Sequence, residues 1–304
     1  MLNWNGARES RAALASLALA TDSCVTTFLV DNGSDDDEAA LLASEYPNIR
    51  TIRLPENVGF ARGVNVAARE AIASGVDFLL LLNNDAWFDE PIATISALVG
   101  AARADDRVAA VGPLVVNADV AATTQSAGYA YSLWFPLTRR SRTGSRVDFL
   151  SGSCLLIKAE VFASLGGFDP DFFLYGEDVD LALRLKALGF REYLVADCRV
   201  RHVRGASSRL MSSRYIYTVL RGNLIVVRKH ARWFQLPTAY GTMMVVSVGL
   251  IVVGSMRGNR CALGDVLRAW RDFLHGRWGG FDGNILANVD RPSIHDFVGA
   301  PAYP

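Results

Sequence analysis

Cysteine is scarce in this chain of 304 residues, and its spacing carries no metal or redox motif. No two of the cysteines stand in a CxxC pair. The first residues have no signal-peptide pattern, so we expect reduced cysteines and a cytoplasmic protein. The cysteines are Cys24, Cys154, Cys198 and Cys261.

Common nucleotide-binding motifs are missing as well. The chain has no GxxxxGK[ST] sequence, the signature of a phosphate-binding loop. It has no GxGxxG after its first strand, which argues against a nicotinamide-dependent dehydrogenase. No nucleic-acid-binding motif occurs, and we expect no nucleic-acid partner.

Acidic residues are absent from one long stretch, although the net charge of the whole chain is zero. No Asp or Glu lies between Cys198 and Gly264, whereas the same stretch holds eleven Arg and Lys residues. This asymmetry predicts an anionic partner, either phosphate or a membrane surface.

Charge of either sign is absent from Phe234 to Met256. Residues 237–256 approach the ~20 residues that a helix needs to cross a bilayer. Basic residues flank this segment on both sides, so the charges define no orientation. A buried helix, a membrane-associated helix or hairpin, and a true span are the alternatives. We expect a membrane-associated segment at the inner face of the cell membrane.

The first 112 residues alternate between apolar, β-branched runs and Ala- or Leu-rich segments. The runs at 25–30, 49–54, 76–82 and 108–111 are typical of strands. Alternation of this kind predicts an α/β fold, a mostly parallel sheet with helices on both faces. The predicted helices are 6–20, 35–46, 60–74 and 91–103.

Four successive strands each end in a cluster of Asn, Asp and Gly. Turn chemistry explains any one cluster, but ligands also bind beyond the carboxyl ends of such strands. We therefore expect one polar crevice. Asp31, Asn57 and Asp85 offer acceptors suited to a ribose, a base edge or a hard cation, and Asp85 suits Mg²⁺ or Mn²⁺ on a diphosphate. Arg62, in the helix that follows Gly59, is placed to meet an anion.

A second acidic cluster, EDVD at 177–180, precedes a helical pattern over 181–189. Helix capping explains one or two of these acids. It does not explain the aromatic stretch FFLY at 172–175, which predicts a cleft around them. A carboxylate in such a cleft can act as a general base toward a hydroxyl group.

These motifs, in this order and spacing, resemble family-2 glycosyltransferases of the GT-A fold. The similarity extends from Asn3 to about His230 and is strongest to the bacterial rhamnosyltransferase branch. The motifs are NWNG (3–6), DNGSDD (31–36), ENVGFARGVN (56–65), LNND (82–85), FLSGSCLL (149–156) and GGFDPDFFLYGEDVDLALR (166–184), followed by His202.

The resemblance implies an inverting transferase in cell-surface polysaccharide synthesis. It would move a sugar, rhamnose in this branch, from a dTDP- or UDP-linked donor to a glycan or lipid-linked acceptor, with Mg²⁺ or Mn²⁺. Asp178 would be the base, Glu177 would bind the acceptor, and Asp85 and His202 would hold the metal. Asp180 would be structural. The nucleotide-binding residues would be Asn3, Asp31, Asn57, Gly59, Arg62, Asn65 and Asn84.

The resemblance also divides the chain. We predict a catalytic domain at 1–205, with a nucleotide-binding half at 1–112 and an acceptor-binding half at 113–205. A basic and hydrophobic helical extension follows at 206–275, and a loose tail at 276–304.

Two features depart from the family pattern. The sequence NND at 83–85 lacks the first acid of a DxD motif, and only two residues precede NWNG where relatives have a full strand. The short start leads us to expect a truncated chain or a late start codon. The alternatives are a nucleotidyltransferase of similar architecture and a non-catalytic, membrane-associated protein on a decayed transferase fold.

Overall fold

The computed structural model describes residues 1–20, 25–118, 123–142, 147–203, 215–256 and 259–279. Cys24 and residues 280–304 of the predicted tail lie outside this part of the chain. Four basic residues of the acid-free stretch also lie outside it: Arg204, Arg209, Arg214 and Arg257.

A small parallel sheet opens the fold. Its strands lie in the order β1 (Leu2–Asn3), β2 (Phe28–Asp31) and β3 (Arg50–Arg53), and both pairs are parallel. The Asp37 carboxylate accepts the Ala40 N–H at 3.0 Å and so begins the second helix. The helices of this half are α1 (Ala7–Ala18), α2 (Glu38–Glu45) and α3 (Phe60–Ala73).

A second, six-stranded sheet is mixed rather than mostly parallel. Its main order is β4-β10-β6-β11-β5, and β7 pairs with β6. β10 is antiparallel to both of its neighbours, whereas β6 and β11 are parallel. The strands are β4 (Phe78–Leu82), β5 (Ala86–Trp87), β6 (Val108–Asn117), β7 (Thr124–Ser126), β10 (Cys154–Lys158) and β11 (Arg191–His202).

The remaining elements in the described part of the chain are a short strand pair and six helices. β8 (Tyr129–Ala130) and β9 (Arg139–Arg140) form a short hairpin-like pair in the acceptor half. The helices are α4 (Pro91–Arg103), α5 (Ala159–Ser164), α6 (Glu177–Ala187), α7 (Tyr215–His230), α8 (Leu236–Met256) and α9 (Ala262–Leu274).

The structure extends two elements beyond the sequence predictions. β6 runs past the predicted 108–111 because it pairs along its length with β11 in a parallel ladder, which is interrupted between Val195 and Arg199. α6 begins at Glu177 rather than near Leu181, since Gly176 adopts a φ of 100° and turns the chain into the helix. The first two acids are therefore part of the helix itself.

The helical extension packs onto the catalytic part through one hydrophobic core. Ile216 and Leu224 of α7, Met243 of α8 and Val266 of α9 share a buried cluster with Phe172. The division into domains stays a prediction, but the core is continuous across the boundary predicted at 205.

A cavity of about 760 Å³ separates the two sheets. Met1 and Leu2 line one side, and Phe78 to Leu82 of β4 line the other. β4 pairs with β10 on one edge, and no described strand pairs with its other edge. Neither Asp85 nor Asp178 lines this cavity. The gap lies beside the two-residue strand β1, at the place where the sequence predicts a shortened strand.

Candidate active site

The parallel pairing brings the carboxyl ends of the first strands together. Asn3 lies opposite Asp31, and Asp31 lies opposite Arg53. Asp31 is fully buried, and its Oδ1 accepts the Ser34 N–H at 3.1 Å. Its Oδ2 is buried without a hydrogen-bond partner in the described structure, and Arg53 Nε lies 3.7 Å away. Asp31 therefore retains an acceptor for a ligand at this edge.

Asn3 and Asn84 belong to a network that joins the ends of β1 and β4 to α1 and α2. The fully buried Asn3 amide donates to Glu38 Oε2 at 2.7 Å and accepts the Ser10 hydroxyl at 2.7 Å. Asn84 Nδ2 donates to Ser10 Oγ at 3.2 Å. These contacts fit a structural role for both side chains, and nucleotide binding by Asn3 and Asn84 stays a prediction.

A second network shapes the loop before α3. Asn57 Oδ1 accepts the Gly59 N–H and the Asn32 amide, each at 2.9 Å. Gly59 has a φ of 89°, and a Cβ there would lie 2.6 Å from Phe173 O. The close approach explains the glycine. It also seats the loop that carries the second acidic cluster against the nucleotide-binding half.

Arg62 and Asn65 face this same loop. Arg62 Nε donates to Pro170 O at 3.1 Å. Asn65 is buried, accepts the Phe168 N–H at 2.9 Å and donates to Phe168 O at 2.7 Å. Both ends of the Asn65 amide are thus used within the protein. Its predicted contact with the nucleoside remains a prediction, and its geometry fits a brace between the two halves.

Asp85 and His202 lie side by side, as the metal hypothesis requires. β5 and β11 are antiparallel, and the pair His202–Ala86 sets the histidine next to Asp85. His202 Nε2 is 3.1 Å from Asp85 Oδ1, and this buried oxygen has no hydrogen-bond partner in the described structure. His202 Nδ1 lies 2.8 Å from Gln125 Oε1. An amide oxygen only accepts, so a neutral His202 that donates from Nδ1 to Gln125 would turn its Nε2 lone pair toward Asp85.

These two side chains fit a divalent cation that is shared with a ligand. No group of three or more His, Cys, Asp and Glu side chains in the described ranges could hold a metal unaided. The buried Asp85 oxygen and the neighbouring imidazole nitrogen would supply two ligands, and Mg²⁺ commonly takes the rest from substrate phosphates and water. Gln125 was missed in the sequence because nothing local links it to His202.

Glu177 and Asp178 lie in the first turn of α6, directly after the aromatic stretch 172–175. Glu177 is buried, and its Oε2 has no hydrogen-bond partner among the described residues. Burial, followed by the negative charge of Asp178, raises the pKa of Glu177. Burial also raises the pKa of Asp178, although Asp178 Oδ1 accepts the Val179 N–H at 2.8 Å. The pKa of Glu177 is raised further than that of Asp178.

The segment 151–153 lies against both the end of β4 and Asp178. The Asn83 N–H donates to Ser153 O at 3.0 Å, which holds the end of β4 against this segment. A Cβ on Gly152 would lie 3.9 Å from Asp178 Cβ, so the backbone at Gly152 passes directly beneath the acid. Asn83, two residues before Asp85, and Asp178 therefore lie against the same short stretch of backbone, although they are far apart in sequence.

Asp180 plays the structural role that the sequence predicts for it. The carboxylate is fully buried and contacts Arg184 Nε at 2.7 Å, His230 Nε2 at 2.7 Å and Lys229 Nζ at 2.9 Å. Burial alone would raise the pKa of Asp180, but these partners hold it below its ordinary value. The cluster ties α6 to α7 and so fixes the helix that carries Glu177 and Asp178.

Glu192 is a further buried acid that the sequence did not single out. Its Oε2 accepts the Leu150 N–H at 2.6 Å, two residues before Gly152. Burial raises the pKa of Glu192 to about 8. Glu192 thus holds the segment that supports Asp178. An isolated acid in the strand-like sequence REYLV gave no signal for this contact.

Comparison with known proteins assigns this arrangement to a family. The family model "Glycosyltransferase like family 2" matches residues 10–235. The chain belongs to glycosyltransferase family 2. It is therefore a glycosyltransferase, as the motifs predicted, and the nucleotidyltransferase and non-catalytic alternatives are set aside.

Curated relatives narrow the class further. The chain is 30% identical over 279 residues to an N-acetylglucosaminyl-diphospho-decaprenol L-rhamnosyltransferase of Mycobacterium tuberculosis, covering 81% of this chain and 90% of that one. It is 28% identical over 202 residues to the O-antigen chain rhamnosyltransferase WbaN of Salmonella anatum, covering 63% and 60%. This family 2 glycosyltransferase thus has homologues that are named as rhamnosyltransferases, one of them for the O-antigen chain.

Solved structures confirm the GT-A fold. The mannosyltransferase PcManGT of Pyrobaculum calidifontis, in complex with GDP-Man and Mn²⁺, aligns with a TM-score of 0.53 at 16% identity, covering 91% of this chain and 86% of that one. S. aureus TarS 1-349 in complex with UDP-GlcNAc aligns with a TM-score of 0.53 at 12% identity, covering 92% of each chain. At these identities the likeness concerns the fold alone.

Proposed function

We propose that the protein is an inverting transferase that moves rhamnose or a related sugar from a dTDP- or UDP-linked donor to a hydroxyl of a lipid-linked glycan. The observation that carries the proposal is that Asp178, whose pKa is raised, and the end of β4, which leads to Asp85 beside His202, both lie against the segment 151–153. Asp178 is suited to take the proton of the acceptor hydroxyl. Asp85 is suited to bind a cation that balances the charge of a diphosphate.

The reaction needs a single base. As the acceptor oxygen bonds to the anomeric carbon, its proton passes to Asp178 and the bond from that carbon to the diphosphate breaks. Attack from the face opposite the leaving group inverts the anomeric configuration. Mg²⁺ or Mn²⁺, held by Asp85 and His202, would neutralise charge on the departing nucleoside diphosphate.

The two acids at the start of α6 suit different tasks. The more strongly raised pKa of Glu177 favours its neutral form near neutral pH, where Asp178 is more readily ionised. Environments that push two pKa values apart separate the roles of paired carboxyl groups. A neutral Glu177 can donate a hydrogen bond to the acceptor while Asp178 accepts the proton.

The relatives support the choice of substrates. The Mycobacterium tuberculosis relative is named for an N-acetylglucosaminyl-diphospho-lipid acceptor and for rhamnosyl transfer. By analogy, the acceptor here carries a sugar diphosphate on a membrane lipid, and the enzyme acts at the cytoplasmic face of the cell membrane. Asp31, with its free buried oxygen, is the candidate contact for the base or ribose of the donor.

The test is transfer with defined substrates. The purified protein is incubated with Mn²⁺, dTDP-rhamnose or UDP-N-acetylglucosamine, and a short-chain lipid carrying N-acetylglucosaminyl diphosphate. We expect mass spectrometry to detect the extended lipid with one donor and NMR to assign an inverted anomeric centre. A product with retained configuration would contradict the single-base mechanism.

A further inference from the structure

α8 presents an apolar stripe to solvent. In the described part of the chain, α8 is the helix long and apolar enough to cross a membrane by length and composition. The α8 stripe consists of Met244, Val245, Val248, Val252 and Val253, which recur at helical spacing and are each about half or more exposed. Val245 is 73% exposed. A contiguous exposed apolar face of this kind marks an interaction surface.

Neighbouring elements extend this surface. α9 exposes Leu263, Leu267 and Leu274. At the turn before α8, Trp233 is 82% exposed, and Phe234 packs against the exposed Trp134 with ring centroids 5.7 Å apart. Trp134 lies between β8 and β9, in the acceptor half. The apolar surface therefore reaches from the helical extension to the half of the enzyme that receives the acceptor.

The inner side of α8 is bound to the rest of the protein along its length. Near its start, Tyr240 and Phe273 of α9 lie with ring centroids 6.0 Å apart. At its middle, Trp270 Nε1 donates to Ser247 Oγ at 2.9 Å. Near its end, a Cβ on Gly254 would lie 2.7 Å from the Ala262 side chain. α8 cannot leave α9 without breaking these contacts.

A transmembrane arrangement would carry charged partners into the bilayer. α7 and α9 are joined by a buried cluster in which Arg221 donates to Tyr217 Oη at 2.7 Å and Tyr217 donates to Asp272 at 3.0 Å. Arg221 and Asp272 are both nearly fully buried. Charged groups at bilayer depth are costly. The packing thus favours α8 lying along a membrane surface over α8 crossing it.

The basic residues around this surface favour an anionic membrane as its partner. The exposed basic residues Arg228, Arg232 and Arg260 lie at or near the two ends of α8, and Arg271 is exposed on α9. No acidic residue lies between Cys198 and Gly264. Basic residues at the border of an exposed apolar surface are attracted to the negative headgroups of an anionic bilayer.

We propose that the outer faces of α8 and α9 form a docking surface that lies flat in the headgroup region of an anionic bilayer. Trp134, Trp233 and Phe234 would sit at the same interface, which turns the acceptor half toward the membrane. The benefit to catalysis rests on the proposed function, because a lipid-linked acceptor presents its sugar at that height. Binding to the bilayer itself does not depend on the identity of the substrates.

The test is flotation of the full chain with vesicles. One set contains phosphatidylcholine alone and the other adds phosphatidylglycerol. The double variant Val245→Glu/Val248→Glu places two charges on the α8 stripe. The matched control Leu41→Glu/Leu188→Glu adds the same charge at exposed leucines outside the docking surface. Circular dichroism confirms that all three proteins are folded.

We expect wild type and control to float with the anionic vesicles, and the stripe variant to bind at least ~10-fold more weakly, because two buried charges replace apolar contacts. High salt should weaken binding, and alkaline carbonate should release the protein. Equal flotation of the stripe variant would overturn the docking surface, and resistance to carbonate would indicate a spanning helix.

Two further readouts separate the explanations. If the stripe variant loses self-association on a sizing column and wild type never binds vesicles, the surface is a contact between copies of the chain, and the proposal is wrong. Transfer to a water-soluble acceptor should be the same in wild type and stripe variant. If the stripe variant loses vesicle binding but keeps this activity, the stripe serves docking and not catalysis. If wild type binds vesicles but transfers no sugar, the proposed function is wrong.

Discussion

Replacement of Asp178 by asparagine should remove the chemical step and leave the fold intact. Asparagine keeps the side-chain oxygen that accepts the Val179 N–H at 2.8 Å, so the start of α6 should survive. A positioned general base contributes ~10²–10⁴-fold in rate. We therefore expect kcat to fall by that factor, equivalent to about 3–5 kcal/mol in the activation barrier.

The pH dependence gives this prediction a second, independent readout. Burial raises the pKa of Asp178 above its ordinary value, and the base is active only when ionised. Activity should therefore rise with pH, with its acid limb well above pH ~4, where an exposed aspartate titrates. The residual activity of Asp178→Asn should lack this limb.

Steady-state kinetics on the wild type, Asp178→Asn and Asp180→Asn test the assignment. Asp180→Asn removes the buried carboxylate that pairs with Arg184 and His230 and leaves Lys229 only Asp169, and breaking a buried ion pair costs about 3–5 kcal/mol of stability. Its thermal midpoint should drop, whereas that of Asp178→Asn should not. If Asp178→Asn retained kcat within a few-fold, or kept the acid limb, Asp178 would not be the base.

Three further predictions follow from contacts around the site. Gly59→Ala should lower the free energy of unfolding by about 2–5 kcal/mol, because Gly59 combines a left-handed backbone with a close contact to the backbone of Phe173. The control Gly75→Ala, at a φ of 80° with open space around it, should lower it by only about 1–2 kcal/mol. Equal losses for the two variants in urea titrations would contradict the contribution of the Phe173 contact. Gln125→Ala should weaken Mn²⁺ affinity ~10–100-fold by freeing His202, measured in the presence of UDP; unchanged affinity would refute that role. Because burial raises the pKa of Glu192, its contribution to the free energy of unfolding is present below pH 4.5 and is lost as the pH rises toward 8. The stability of Glu192→Gln should therefore change less with pH than that of wild type over this range. Stability curves that run parallel for the two proteins would contradict this.

The sequence predicts the elements of the site better than their partners. The apolar run FLLLL followed by NND correctly indicated a strand that ends at Leu82, because burial and turn chemistry are both local properties. The same is true of EDVD at the head of a helix. The end of β4 meets the segment 151–153 only because β10 inserts antiparallel beside β4, and that pairing has no local signature.

Polar side chains show the limit of this approach most clearly. Asn65 and Arg62 have the residue types of ligand contacts, yet Asn65 donates to the backbone of Phe168 and Arg62 donates to that of Pro170. A buried loop must satisfy its own amides and carbonyls, and the sequence does not say which side chains do so. Gln125 and Glu192 were missed for the converse reason, since their partners are fixed by sheet register.

The metal-assisted donor site is the central claim, and calorimetry tests it most directly. UDP and dTDP are titrated into wild type, Asp85→Ala and the matched control Asp89→Ala, each with and without Mn²⁺. Asp89 lies four residues after Asp85, is exposed and pairs with Arg201.

We expect wild type and Asp89→Ala to bind one of the two nucleotides in a metal-dependent manner, and Asp85→Ala to lose that dependence. Wild-type binding that is indifferent to Mn²⁺, or Mn²⁺-dependent binding that persists in a folded Asp85→Ala protein, would contradict the site described for Asp85 and His202.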